Sequence, residues 1–220
     1  MTAAVPRTDA SEARAGVLPP GDRNENPPGP VLELLAEDRA THGGSWWSPG
    51  FLALAVHRFG NLRMEVRSKW LRAPLTAAYR AAYHGVIAVF GIDLPYNVKI
   101  GRRVRFVHHG CIVVGAWSIG DDVIIRGPAT LGLSRRDATG TPVIARGVEL
   151  GPRACVVGDV VVDEGAYVGP NTVLTENLPA GAVALGNPSR RVNLELVAER
   201  VDAAPGARDP VAARTASRSG

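Results

Sequence analysis

Residues 144–174 read IARGVELGPRACVVGDVVVDEGAYVGPNTVL. An aliphatic side chain returns at every sixth place: Ile144, Leu150, Val156, Val162, Val168 and Leu174. Four residues after each of the first five stands a small or β-branched one: Val148, Ala154, Val160, Ala166 and Thr172. Turn formers and charges fill the gaps, as in Pro152-Arg153, Glu164-Gly165 and Pro170-Asn171. Positions four and six of each hexad are two apart, so they face one side of a strand. The next inward residue comes four later, which demands a corner, and Gly, Pro, Asp and Asn serve corners. A chain that repeats this winds into a prism. Small residues fill its corners, aliphatic residues fill its faces, and each coil pairs with the next. Six-residue repetition is the signature of a β-helix. A helical reading fails because Gly and Pro interrupt every turn. A sandwich would need longer, less evenly spaced strands.

The same period extends upstream. Leu94, Ile100, Phe106 and Ile112 run in step, one residue is inserted, and Ile119, Ile125 and Leu131 resume it. Val98, Val104, Gly110, Ala116, Val123 and Ala129 are the matching corner residues. A longer insertion, Leu133 to Val143, then interrupts the repeat. Before residue 93 the period is helical. One pattern runs from Val31 to His42 and stops at Gly43-Gly44. Ser48-Pro49 is a helix start, with Ser as cap and Pro at the first position. A third pattern starts at Pro74 and carries Leu75, Tyr79, Tyr83, Val86 and Phe90 on one face. That stripe is expected to pack inward rather than lie on a membrane, because no basic face accompanies the aromatics. The expected organisation is a disordered tail over 1–30, an α-helical N-terminal domain over 31–92 and a β-helix over 93–192. A short C-terminal helix over 193–202 and a disordered tail over 203–220 complete it.

Composition narrows the class. The 220 residues are 45% hydrophobic, enough for a buried core, but only 5% aromatic. The net charge of +4 comes with no Lys/Arg run of five, so nucleic acid is not an expected partner. Cys111 and Cys155 cannot form a disulfide framework and read as ordinary buried thiols of a reducing compartment. No apolar signal region and no stretch of eighteen apolar residues occurs, so a cytoplasmic protein without an integral membrane segment is expected.

Several segments carry a family resemblance. They are Asp93-Leu94-Pro95 through Lys99-Ile100-Gly101, His108-His109-Gly110, Ala129-Thr130-Leu131-Gly132, Gly147-Val148-Glu149-Leu150-Gly151 and the closing Gly186-Asn187-Pro188-Ser189-Arg190-Arg191-Val192. In these the chain resembles the hexapeptide-repeat acyltransferases, which fold as left-handed parallel β-helices. The likeness is to the serine O-acetyltransferase branch, and within it to the colanic-acid and exopolysaccharide type. The resemblance implies His108 as general base and Asp93 as the acid that orients it, with His109 beside the acceptor. By the repeat, His108 falls at a corner and points outward. The resemblance also implies acetyl-CoA as donor, no metal, and a homotrimer whose grooves hold the pantetheine arm. Gly132, Gly151 and Gly169 would let backbone approach that arm, and Arg190 and Arg191 would meet its phosphates. The acceptor the resemblance implies is a hydroxyl of a small metabolite or saccharide.

The chain departs from the serine enzymes at the places that hold an amino acid's charged ends. Val107 replaces an Asp, Ala116 a Glu, and Gly140-Thr141 an Arg-His pair. Serine O-acetyltransferase is therefore the alternative rather than the first reading, and a non-catalytic trimeric β-helix scaffold is the third. Cys111, three residues after His108, suggests an acyl-enzyme only weakly, because the family transfers directly. A metal-dependent hydratase would need three histidine ligands, and the repeat offers two adjacent ones.

Overall fold

The computed structural model describes residues 26–27, 29–134 and 140–192. The expected tails, the helix over 193–202 and most of the insertion lie outside the described residues.

Three helices come first: α1 (Val31–Thr41), α2 (Pro49–Glu65) and α3 (Lys69–Phe90). Pro49 takes the first helical position of α2, although the Ser48 side chain makes no capping bond. α3 starts five residues before the Pro74 start read from sequence. Pro74 sits in its second turn, where it removes a single backbone bond at the exposed end.

The rest of the chain forms three parallel sheets that make the faces of a prism. The first holds β1 (Ile92–Asp93), β4 (Ile112–Val114), β7 (Ala129–Gly132), β10 (Ala154–Val157) and β13 (Val173–Leu174). The second holds β2 (Lys99–Ile100), β5 (Ser118–Ile119), β8 (Val143–Ile144) and β11 (Val161–Val162). The third holds β3 (Arg105–Val107), β6 (Ile124–Arg126), β9 (Glu149–Leu150), β12 (Tyr167–Val168) and β14 (Val183–Leu185). An antiparallel strand, β15 (Arg190–Val192), closes that third sheet. Every large hexad residue from Leu94 to Leu174 is buried, and so is every small one except Gly110. Each such aliphatic side chain contributes about 1.5–3 kcal/mol by leaving water.

The register corrects the sequence reading at one place. Ile112 pairs with Ala129, and Val114 with Leu131. Ile112 therefore stands in the corner column and Val114 in the face column. Two β-branched residues two apart satisfy either phase, so the period alone could not choose. Two surplus residues consequently precede Ile112, and one residue is missing between Val114 and Ile119, which leaves the net insertion of one.

A first coil has an open edge, whose backbone groups need partners. Side chains of the helices supply them. His57 Nε2 donates to Val98 O at 2.8 Å, and Arg58 donates to Ile100 O at 2.9 Å and Gly101 O at 2.6 Å. The Phe106 N–H donates to His42 Nε2 at 3.1 Å, and His42 Nδ1 in turn donates to Asp38 O at 2.7 Å. Arg58 also reaches Asp38 Oδ2 at 3.1 Å, and both side chains are buried. Burial pushes the Asp38 carboxyl up while Arg58 beside it pulls the other way. Both edge histidines are held neutral by burial, His57 down to about 3.

α3 packs on α2 and β1 through buried Tyr79 and Val86, with Leu75, Tyr83 and Phe90 half-buried. The inward packing expected of that stripe is what the structure has. The Arg63 guanidinium lies 4.5 Å from both the Tyr79 and Tyr96 ring centroids.

Candidate active site

The corner between β3 and β4 differs from those stacked above it. Four residues separate Ile125 from Ala129, Leu150 from Ala154 and Val168 from Thr172. In the first coil six separate Phe106 from Ile112, the aligned pair. The two extra residues enlarge the segment His108-His109-Gly110-Cys111. Its backbone turns through positive φ at His108 (55°), Gly110 (109°) and Cys111 (55°). His108, His109 and Cys111 are exposed. Cys111 is thus an exposed corner residue, and the expectation of a buried thiol is corrected. A residue in the enlarged turn has no inward column to occupy, whereas Cys155 does sit in a strand, half-buried, where desolvation raises its thiol pKa.

The enlarged corner abuts the end of α3 and the start of β1. The Phe90 ring meets His109 edge-on, centroids 6.3 Å apart. The Ile112 N–H donates to Gly91 O at 2.9 Å. Gly91 adopts φ 64° as it leaves the helix, and a Cβ there would come within 2.9 Å of the Cys111 nitrogen. The approach needs glycine on both counts.

Asp93 lies on β1 opposite Val113, half-buried on the outer side of the first sheet. Its Oδ1 accepts a hydrogen bond from the Tyr83 hydroxyl. Burial and that carboxylate together push the Tyr83 hydroxyl pKa up, so it stays protonated and donating. Among the described residues no hydrogen bond joins Asp93 to His108. The helical period implies only packing for Tyr83. Nothing in its period distinguishes a tyrosine that packs from one whose oxygen reaches a carboxylate.

The glycines separate into two kinds. At Gly151 a Cβ would lie 2.8 Å from Pro170 N, and at Gly169 it would collide with the Leu185 side chain. Both stack below the next coil on the third sheet's edge, so packing alone requires them. Gly132 ends β7 on another edge, and a Cβ there would meet nothing within 4 Å. Arg190 and Arg191 are exposed on β15, with Arg191 donating to Asn177 O at 3.3 Å. The structure therefore does not gather these five residues at one edge.

Of the departures from the serine enzymes, Ala116 is buried and faces the interior. Gly140 has its Cβ position filled by the Asp159 side chain, which leaves no room for a long cationic residue. Among the described residues no group of three or more His, Cys, Asp and Glu side chains could hold a metal.

No protein-family model matches the sequence. Individual proteins do. WcaB of Escherichia coli (strain K12), provisionally named a colanic acid biosynthesis acetyltransferase, is 33% identical over 143 residues, which are 63% of this chain and 86% of WcaB. The chain belongs to the hexapeptide-repeat acyltransferase family. The serine acetyltransferase of Salmonella typhimurium (strain LT2) is 32% identical over 146 residues, 65% of this chain and half of that protein. The solved soybean serine acetyltransferase complexed with serine is 27% identical, covers 72% of this chain and 68% of its own, and superposes with a TM-score of 0.59. With the family comes the left-handed parallel β-helix expected from the resemblance. This hexapeptide-repeat protein is accordingly an acetyltransferase by relationship, and its enlarged first corner carries two residues that coiling does not need.

Proposed function

We propose that this protein is an O-acetyltransferase that moves an acetyl group from acetyl-CoA to a hydroxyl of a saccharide or small metabolite, with His108 as general base. The observation that carries the reading is the two-residue enlargement of the first corner, which presents an exposed imidazole beside the helical domain. The imidazole takes the hydroxyl proton as the oxygen attacks the thioester carbonyl. The carbon–sulfur bond then breaks, and the imidazolium returns the proton to the departing thiolate. Asp93, anchored by Tyr83, is the carboxylate that stabilises the imidazolium, and His109 on Phe90 lines the acceptor side. Gly132, with open space over its backbone, is the glycine best suited to the pantetheine arm. Arg190 and Arg191 meet the CoA phosphates.

Relatives include serine acetyltransferases, but buried Ala116 and crowded Gly140 offer no charge for an amino acid's ends. A neutral polyol suits the site better. The working form is a homotrimer in the cytoplasm, with a helical domain over 31–92 and the catalytic β-helix over 93–192. The test is thiol release from acetyl-CoA across a panel of saccharides, polyols and serine. Turnover with a saccharide, lost in His108→Ala, supports the proposal. Turnover with serine alone would replace it with the serine reading. Turnover undiminished in His108→Ala would remove the base.

A further inference from the structure

One face of α3 is turned away from the protein. Of its 22 residues only Tyr79 and Val86 are buried. The opposite side runs about 33 Å at 1.5 Å per residue. It exposes Trp70 (90%), Leu71 (66%) and Val89 (72%) at its two ends. Between them Ala77, Ala81 and Gly85 are exposed, and a Cβ on Gly85 would meet nothing within 4 Å. The outward face of a helix in water is ordinarily polar. This one carries a single titratable group, His84, along its length. One flank is cationic: exposed Lys69 and Arg80 lie there, and no Asp or Glu occurs between residues 66 and 92.

We propose that the outer face of α3 seats in the plane of an anionic lipid surface. The inference is independent of the acetyl-transfer reading. Three features choose the occupant. A tryptophan beside a lysine at the helix start suits the boundary between headgroups and chains. Small residues along the middle let the helix axis lie close to the headgroup plane. The all-cationic flank needs an anionic counterpart, which a second copy of the same helix lacks: it would bring more Lys and Arg and no acid. No helix among the described residues is long and apolar enough to cross a membrane, so the helix lies on the surface.

The test is co-sedimentation of the full-length chain with vesicles of phosphatidylcholine plus phosphatidylglycerol, against phosphatidylcholine alone. Binding should be at least about tenfold tighter to the anionic vesicles and should weaken with salt. Trp70→Glu should lower it roughly tenfold or more with an unchanged thermal melt. Lys69→Glu with Arg80→Glu should do the same, at roughly fivefold per cation. If Trp70→Glu does not fold, Val89→Gln at the exposed far end serves instead. No binding to either vesicle overturns the proposal, as does equal binding to both that ignores the charge reversals. A smaller mass by light scattering in Trp70→Glu, without vesicle binding in the parent, overturns it in favour of a contact between copies.

Discussion

The coil of β1–β3 and the coil of β10–β12 have the same three-sided plan and are built differently. The later coil is regular throughout. Coils lie above and below it, its corner between Leu150 and Ala154 is minimal, and Gly151 and Gly169 on that edge are fixed by the backbone or side chain overhead. The first coil lacks a neighbour on one side. Three polar side chains, half-buried His42 and buried His57 and Arg58, replace the missing coil. The corner it shares with the next coil is also larger by two residues, and these hold the exposed histidines. Regular coils thus supply stability by repetition, and the irregular one carries the candidate chemistry where the end of α3 abuts it.

The largest effect that tests this contrast is on the capped edge. Arg58→Ala leaves the buried Asp38 without its partner and two backbone carbonyls, Ile100 O and Gly101 O, short of a donor. A loss of about 3–5 kcal/mol is expected from the ion pair alone. Urea denaturation should show it, and a loss under about 1 kcal/mol would mean that the edge is not held by this residue.

His108→Ala should lower kcat by about 10²-fold or more, close to the usual general-base contribution, without moving the melting temperature. Arg153→Gly, at a left-handed position of the corner in the later coil, should leave kcat unchanged. Equal losses in the two variants would erase the functional difference between the corners.

Acid should loosen the capped edge first. His57 is neutral when folded, with its pKa lowered to about 3 from 6.5, and burial lowers that of His42 too. The unfolded chain therefore binds protons that the folded chain refuses. Stability is full above about pH 6.5 and falls as pH drops below it, by about 2 kcal/mol at pH 5 from His57 alone. Melting curves at pH 7 and 5 measure this, and His57→Gln, whose amide can still donate to Val98 O, should flatten the dependence.

The smallest effect separates the glycines. Gly169→Ala should cost about 1–2 kcal/mol because Leu185 has to move. Gly132→Ala should be neutral for stability and raise KM for acetyl-CoA. A neutral Gly169→Ala would show that the edge is not tightly packed.

The six-residue period made the prism legible because every coil asks the same thing of its residues: aliphatic on the face, small at the corner, turn former outside. Leu94 to Leu174 obey it, and each is buried. The family motif likewise named His108, and the repeat set it at an outward corner. Its limit was phase. Ile112 and Val114 are both branched and apolar, so only their pairing with Ala129 and Leu131 shows that the surplus residues fall at His108–Cys111. Gly151 and Gly169 fit a ligand groove and a crowded corner equally well as letters, and the neighbouring coil distinguishes them.

Local preferences thus wrote the coil, the helices and the outward histidine into the chain itself, since each depends on residues a few places apart. The Tyr83–Asp93 bond, the capping of Val98, Ile100 and Phe106 by residues at least 41 positions away, and the bare outer face of α3 arose only on folding. Such contacts join segments whose separation in sequence carries no period, and nothing short of the packed chain brings them together.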